Sequence, residues 1–158
     1  MHVEGVMVKD PVCCRPEEPL RDAARQMAEH GASCLVVVAD AVSRRVVGML
    51  TEGDVCRAAA EGELGVRSVA SAMSSPVLCR PRDLLWEVLL LGETHGARRF
   101  PVVEEGGQLL GLITLEDVAR EAAREQPGVP ALSPHDVCRV IAESASKRQR
   151  ARAADAPG

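Results

Sequence analysis

The stretch LGLITLEDV, residues 110–118, runs apolar up to Thr114 and then turns polar, with an aspartate three positions on. VGMLTEGDV, residues 47–55, repeats it, keeping Gly48/Gly111, Thr51/Thr114 and Asp54/Asp117 while changing most of what lies between. A short apolar run that stops at threonine reads as a strand passing directly into a helix, with the threonine as N-cap. The chain writes that junction twice.

Working outward, a shift of 65 positions lays PVCCRP (11–16) on PVLCRP (76–81) and HGASCLVVV (30–38) on HGARRFPVV (95–103). The offset then falls to 63, because ADAVSRR is two residues longer than EEGGQ, and the two junctions align. A length change confined to a turn is what a duplicated unit tolerates, so the chain holds an internal repeat of about sixty residues. In each copy a short strand (Val12 to Cys14, Val77 to Cys79) ends before a proline, Pro16 or Pro81. An amphipathic helix follows. In the first copy Leu20, Ala23, Ala24, Met27 and Ala28 form its apolar stripe and Gly31 ends it in a left-handed cap. Cys34–Val38 and Val46–Leu50 flank a polar turn as a hairpin, and a second helix starts after Thr51. The expected fold is therefore mixed α/β (α+β), strand-helix-strand-strand-helix in two copies. The expected boundaries are 2–62 and 73–126 for the repeats, with a linker at 63–72. Ser133 and Pro134 resemble a helix start, and Val137, Val140, Ile141 and Ala145 make a narrow stripe, which predicts a C-terminal helix over 133–150 and a disordered tail over 151–158.

Composition narrows the function. A chain of 158 residues that is 46% hydrophobic can bury its own core. No apolar run approaches the roughly 20 residues of a membrane span, and no basic stretch leads into an apolar one as a signal peptide would, so a cytoplasmic protein is expected. The six cysteines, Cys13, Cys14, Cys34, Cys56, Cys79 and Cys138, form no CxxC pair and read as structural thiols rather than as zinc ligands. A net charge of −4, with Trp86 and Phe100 as the aromatic residues, disfavours nucleic-acid binding. The basic run KRQRAR near the C-terminus reads as a solvated terminus. No nucleophile-base arrangement, P-loop or dinucleotide fingerprint is present, and no metal or required cofactor is indicated.

The TxxD spacing has two readings. As a capping box, the threonine side chain accepts from a first-turn amide and the acidic side chain returns to the threonine amide. As a ligand site, the helix N-terminus suits a phosphate and a carboxylate one turn in can accept two hydrogen bonds from a vicinal diol, a combination that describes a nucleotide. Gly48 and Gly111 would let backbone or base approach the incoming strand.

The doubled pattern of glycine, threonine and aspartate, preceded by HGARRFPVV and led off by DPVCCRP and SPVLCRP, closely resembles the tandem CBS domain pair, or Bateman module, over about residues 2–126. The resemblance implies two repeats packed about a pseudo-two-fold axis, with clefts that hold adenosine nucleotides in many relatives, and a regulatory module that commonly dimerises. It places Asp54 and Asp117 on the ribose, and Thr51 and Thr114 on phosphate. Val12, Cys13, Val77 and Leu78 would line the adenine pocket, and Arg98 and Arg99 would face phosphates. The alternative for the arginine pair is a solvated hairpin edge. Ser33 and Cys34 stand at the arginine positions in the first copy, so the clefts are expected to be unequal, the one built on Asp117 being the tighter. His30 and His95, each next to its helix-ending glycine, read as polar caps. The resulting expectation is a non-enzymatic sensor of AMP, ADP or ATP, forming a homodimer and signalling to a protein partner. The alternatives are a ligand-free dimerisation scaffold, S-adenosylmethionine binding, and nucleic-acid contact through the basic tail.

Overall fold

The computed structural model describes residues 1–124 and 133–154. A 3-10 turn at Val3–Gly5 is followed by β1 (Val8–Lys9), β2 (Cys13–Cys14), α1 (Leu20–His30), β3 (Cys34–Val38), β4 (Val46–Thr51), α2 (Glu52–Ala60) and α3 (Val69–Ala72). Then come α4 (Leu85–His95), β5 (Arg99–Val103), β6 (Leu109–Thr114), α5 (Leu115–Ala122) and α6 (Pro134–Ala154). Two three-stranded sheets form, in the orders β2-β3-β4 and β1-β6-β5, giving the mixed α/β architecture expected of the repeat. Leu20, Ala23 and Met27 are the buried positions of α1, and Gly31 and Gly96 end α1 and α4 in the left-handed conformation at φ 59° and 65°. The Nδ1 atom of His30 lies 2.9 Å from the Gln26 carbonyl of its own helix.

The copies differ at their first strand. β2 pairs in parallel with β3, Cys13 opposite Val36 and Cys14 opposite Val37, and the Val36 amide donates to the Val12 carbonyl at 3.3 Å. In the second copy the expected strand Val77–Cys79 is reduced to a single bridge between Cys79 and Val102. The reason is Pro101, which stands where Val36 does and has no N–H to donate.

The linker is not structureless. Val69 on α3 is fully buried, its amide bonds the Glu18 carbonyl and the Ala70 amide bonds that of Pro16. The chain start repeats this arrangement against the other copy: Val3 is fully buried, its amide bonds Asp83, and the Glu4 amide bonds Pro81. His2 bridges Leu84 as Ser68 bridges Pro19. Each copy's leading segment thus completes the other copy. Gly48 and Gly111 serve this exchange. A Cβ at Gly48 would lie 2.5 Å from the Met73 sulfur, and one at Gly111 would lie 2.7 Å from the Met7 sulfur and 2.8 Å from the Val8 carbonyl oxygen. The group that meets the missing side chain is therefore the protein's own leading segment, and at Gly111 it includes the close backbone approach that the sequence allowed for.

The chain divides into two compact units. One comprises residues 1–8, 77–102 and 111 onward, with a core of Val3, Val88, Phe100, Val102, Ile113, Leu115 and Val118. The other comprises 9–76 and 103–110, with a core of Leu20, Ala23, Leu35, Val37, Leu50, Ala58 and Val69. In the first of these units α6 packs on α4 and α5, burying Val137 and Val140. α6 continues through the basic run to Ala154, so 151–154 are helical where disorder was expected; Ala, Arg, Lys and Gln are strong helix formers. The remainder of the expected tail, 155–158, lies outside the described residues, as do 125–126 at the end of the second repeat. No helix among the described residues is long and apolar enough to cross a membrane.

Cys14, Cys34 and Cys79 are buried, whereas Cys56 and Cys138 are exposed. Burial pushes the Cys14 and Cys79 thiols up to about 12, with smaller contributions from Glu18 and Asp83 respectively. A thiol reagent is therefore expected to modify Cys56 and Cys138 first and to reach Cys14 and Cys79 only as the chain unfolds. Because an unfolded thiol ionises near pH 9 and these folded ones near 12, their contribution to stability is complete below pH 9 and is lost as pH rises toward 12. An alkaline unfolding titration followed by reagent kinetics checks both statements.

Candidate ligand-binding site

β4 enters α2 at Thr51 and β6 enters α5 at Thr114 with the same backbone geometry, φ −118° and ψ 161° at each threonine. The first helical amide is tied to the strand beside it: Glu52 N–H donates to the Ser33 carbonyl at 3.1 Å, and Leu115 N–H to the Arg98 carbonyl at 3.0 Å. Asp54 Oδ2 accepts from the Thr51 amide at 2.9 Å and its hydroxyl at 2.7 Å. Asp117 Oδ2 accepts from the Thr114 amide at 3.0 Å and hydroxyl at 2.7 Å, while the Asp117 amide donates to Thr114 Oγ1 at 3.1 Å. The capping box is thus formed in both copies, and it orients each carboxylate so that Oδ1 is its remaining acceptor edge.

What meets Oδ1 distinguishes the copies. Arg120 Nη1 donates to Asp117 Oδ1 at 2.8 Å, whereas Arg57 Nη1 is 3.9 Å from Asp54 Oδ1, beyond hydrogen-bond reach. These arginines occupy the same place in TEGDVCR and TLEDVAR, and the sequence reading passed over them. Extending the repeat comparison two residues would have found them. Both side chains are more than half exposed, so each can leave its aspartate without uncovering a core.

Strand register assembles the rest of the first site. Cys13 is opposite Val36 and Thr51 opposite Cys34, so Val12–Cys13 and the Thr51 junction flank the start of β3, about 10 Å apart across two interstrand spacings. That is the span of a nucleoside. Val12 packs on the core, and the Cys13 thiol donates to the Pro11 carbonyl at 3.1 Å. Arg44 reaches Asp10 at 2.6 Å and lies 3.8 Å from the Cys13 sulfur. Burial raises the Cys13 thiol, partly opposed by Arg44. In the second copy Val77 packs on the core and Leu78 is 40% exposed.

Arg98 and Arg99 are both half-buried at the entry of β5, Arg98 just before the strand and Arg99 as its first residue. The Arg98 guanidinium is paired with Glu116 in the first turn of α5. Its Nε is buried without a hydrogen-bond partner among the described residues. The junctions accordingly combine a fixed carboxylate acceptor with a helix N-terminus, and in the second copy a cation. A carboxylate acceptor beside a helix N-terminus is chemically suited to a polyol and an anion.

A doubled α/β unit with a carboxylate-capped strand-helix junction in each copy defines a class of paired-repeat modules. The CBS domain profile matches residues 3–61 and again 66–124, and the chain belongs to that family. It is 33% identical over 146 residues to inosine-5'-monophosphate dehydrogenase of Korarchaeum cryptofilum, covering 87% of this chain and 29% of that protein. The chain spans less than two thirds of the length of the first curated relatives that it matches, which range from 29% to 63%. Among solved structures, the CBS domain protein PAE2072 from Pyrobaculum aerophilum complexed with AMP superposes with a TM-score of 0.70 at 21% identity, covering 75% of this chain and 90% of that one. The CBS domain pair of MJ0100, in complex with 5'-methylthioadenosine and S-adenosyl-L-methionine, superposes with a TM-score of 0.69 at 21% identity, covering 76% and 94%. At these identities the likeness is one of fold.

Proposed function

We propose that this protein is a regulatory ligand-sensing module without catalytic chemistry of its own, which binds adenosine nucleotides (AMP, ADP or ATP) at its two threonine-aspartate junctions. The observation that carries the reading is the fixed carboxylate in each copy: Oδ2 is engaged by the threonine and Oδ1 is oriented toward a long, exposed arginine that a ligand can displace. Asp54 and Asp117 take the ribose diol, and Thr51, Thr114, Arg98 and Arg99 serve the phosphate end. Val12, Cys13, Val77 and Leu78 serve the base. A homodimer, with a protein partner that reads its state, completes the proposal. Ligand then acts by binding two arrangements of the module unequally. AMP in PAE2072 supports the nucleotide reading, and S-adenosyl-L-methionine in MJ0100 supports a second one in which the ligand is a charged nucleoside without phosphate.

Thermal melting with AMP, ADP, ATP and S-adenosylmethionine tests this. A ligand that binds only the native state at a hundred times its Kd adds about 2.7 kcal/mol. Asp117→Ala and Asp54→Ala are each expected to cost about 1 kcal/mol as lost caps and to abolish the ligand-induced shift of their own site. If no nucleoside ligand moves the melt while the protein still dimerises, the scaffold alternative replaces this reading.

A further inference from the structure

We infer that Glu116 is a built-in competitor for the phosphate end of the second junction and sets that site's selectivity by ligand charge. The inference rests on the site proposed above and concerns a residue that neither the repeat nor the family pattern assigned a role. Arg98 is the cation at this junction, and its carbonyl is tied to Leu115, which fixes the residue beside the helix start. Its guanidinium is held by a single contact, Nη2 to Glu116 Oε1, while Nε is buried with no partner among the described residues. A guanidinium presents a planar fork of donors, and an anion bound across it uses two of them. Glu116 meets one Nη donor and leaves Nε unmet, so the hydrogen-bonding capacity of the guanidinium is only partly used by the protein. One residue further on, Arg120 holds Asp117 Oδ1. The second junction therefore carries an internal anion on its cation and an internal cation on its anion. The first lacks the anion on a cation, because Ser33 stands at the Arg98 position, and its Arg57–Asp54 ion pair is the looser one at 3.9 Å, outside hydrogen-bond reach.

A phosphorylated ligand must displace Glu116 from Arg98, whereas a nucleoside with an uncharged 5' substituent need not. Having the cation is thus not by itself a reason for the Asp117 site to be the tighter one, because a resident carboxylate occupies it.

Calorimetric titration of the full chain with AMP and with 5'-methylthioadenosine, in an Asp54→Ala background that isolates the second junction, tests this. Glu116→Gln is expected to tighten AMP about fivefold, the upper end for a partly exposed ion pair, and to leave 5'-methylthioadenosine within about twofold. Arg98→Met added to Glu116→Gln should remove the gain. AMP affinity that is unchanged or weaker in Glu116→Gln, or a gain that the uncharged ligand shares equally, overturns the competitor role. Failure of both ligands to bind either form would instead overturn the underlying site, so the two failures are distinct.

Discussion

Replacing Phe100 by alanine is expected to lower the free energy of unfolding by about 3–5 kcal/mol, the cost of deleting a fully enclosed aromatic side chain and leaving a cavity. Phe100 is completely buried among Val3, Val88, Val102, Ile113 and Leu115 in the core formed by the second repeat and the chain start. Collapse around the gap is limited because these neighbours sit on five different elements. Against a total stability of roughly 5–15 kcal/mol for a domain, the loss is a large fraction. It falls on one of two units with separate cores. Scanning calorimetry should therefore show the variant's endotherm split, with the damaged unit melting first, in place of a uniform shift. A single transition displaced by only a degree or two would contradict the assignment of Phe100 as the keystone of its core.

Gly111→Ala is expected to cost about 2–3 kcal/mol, at the upper part of the range for overpacking, and Gly48→Ala only about 1. The two glycines are equivalent in sequence, but the atoms over them are not. At Gly48 the nearest neighbour of an added methyl is the Met73 sulfur, the end of a flexible side chain that can swing aside. At Gly111 the Val8 carbonyl oxygen lies 2.8 Å away as well, and moving it means moving β1 against β6. Urea denaturation of both variants checks the difference. Equal destabilisation would show that the backbone contact is not what separates them.

The frame of the fold was legible because the duplication wrote every main element twice, with apolar period, glycine caps and junction threonines in the same order. The threonine-aspartate geometry was legible for the same reason. What escaped lay where local pattern carries no address. Val3 and Val69, or Met7 and Met73, are ordinary apolar residues, and nothing near them says that each segment completes the opposite repeat. Pro101 was visible as a residue, but its effect, removal of one donor from a two-residue ladder, depends on knowing which strand lies beside it. Arg98 was read either as a cation for phosphate or as a solvated hairpin edge. That Glu116 already holds it could not be read from a spacing of eighteen residues.

The exchange of leading segments bears on how such a chain could arise. A solitary ancestor of sixty-odd residues would have had its own N-terminal valine and methionine with no place to put them in its own fold, because the segment spans to a neighbour. Two copies passing these arms to each other would have satisfied both, making a swapped, symmetric pair from identical subunits. A chain with two such copies in tandem keeps both exchanges within one molecule, residues 1–8 grouping with the second copy and the linker with the first.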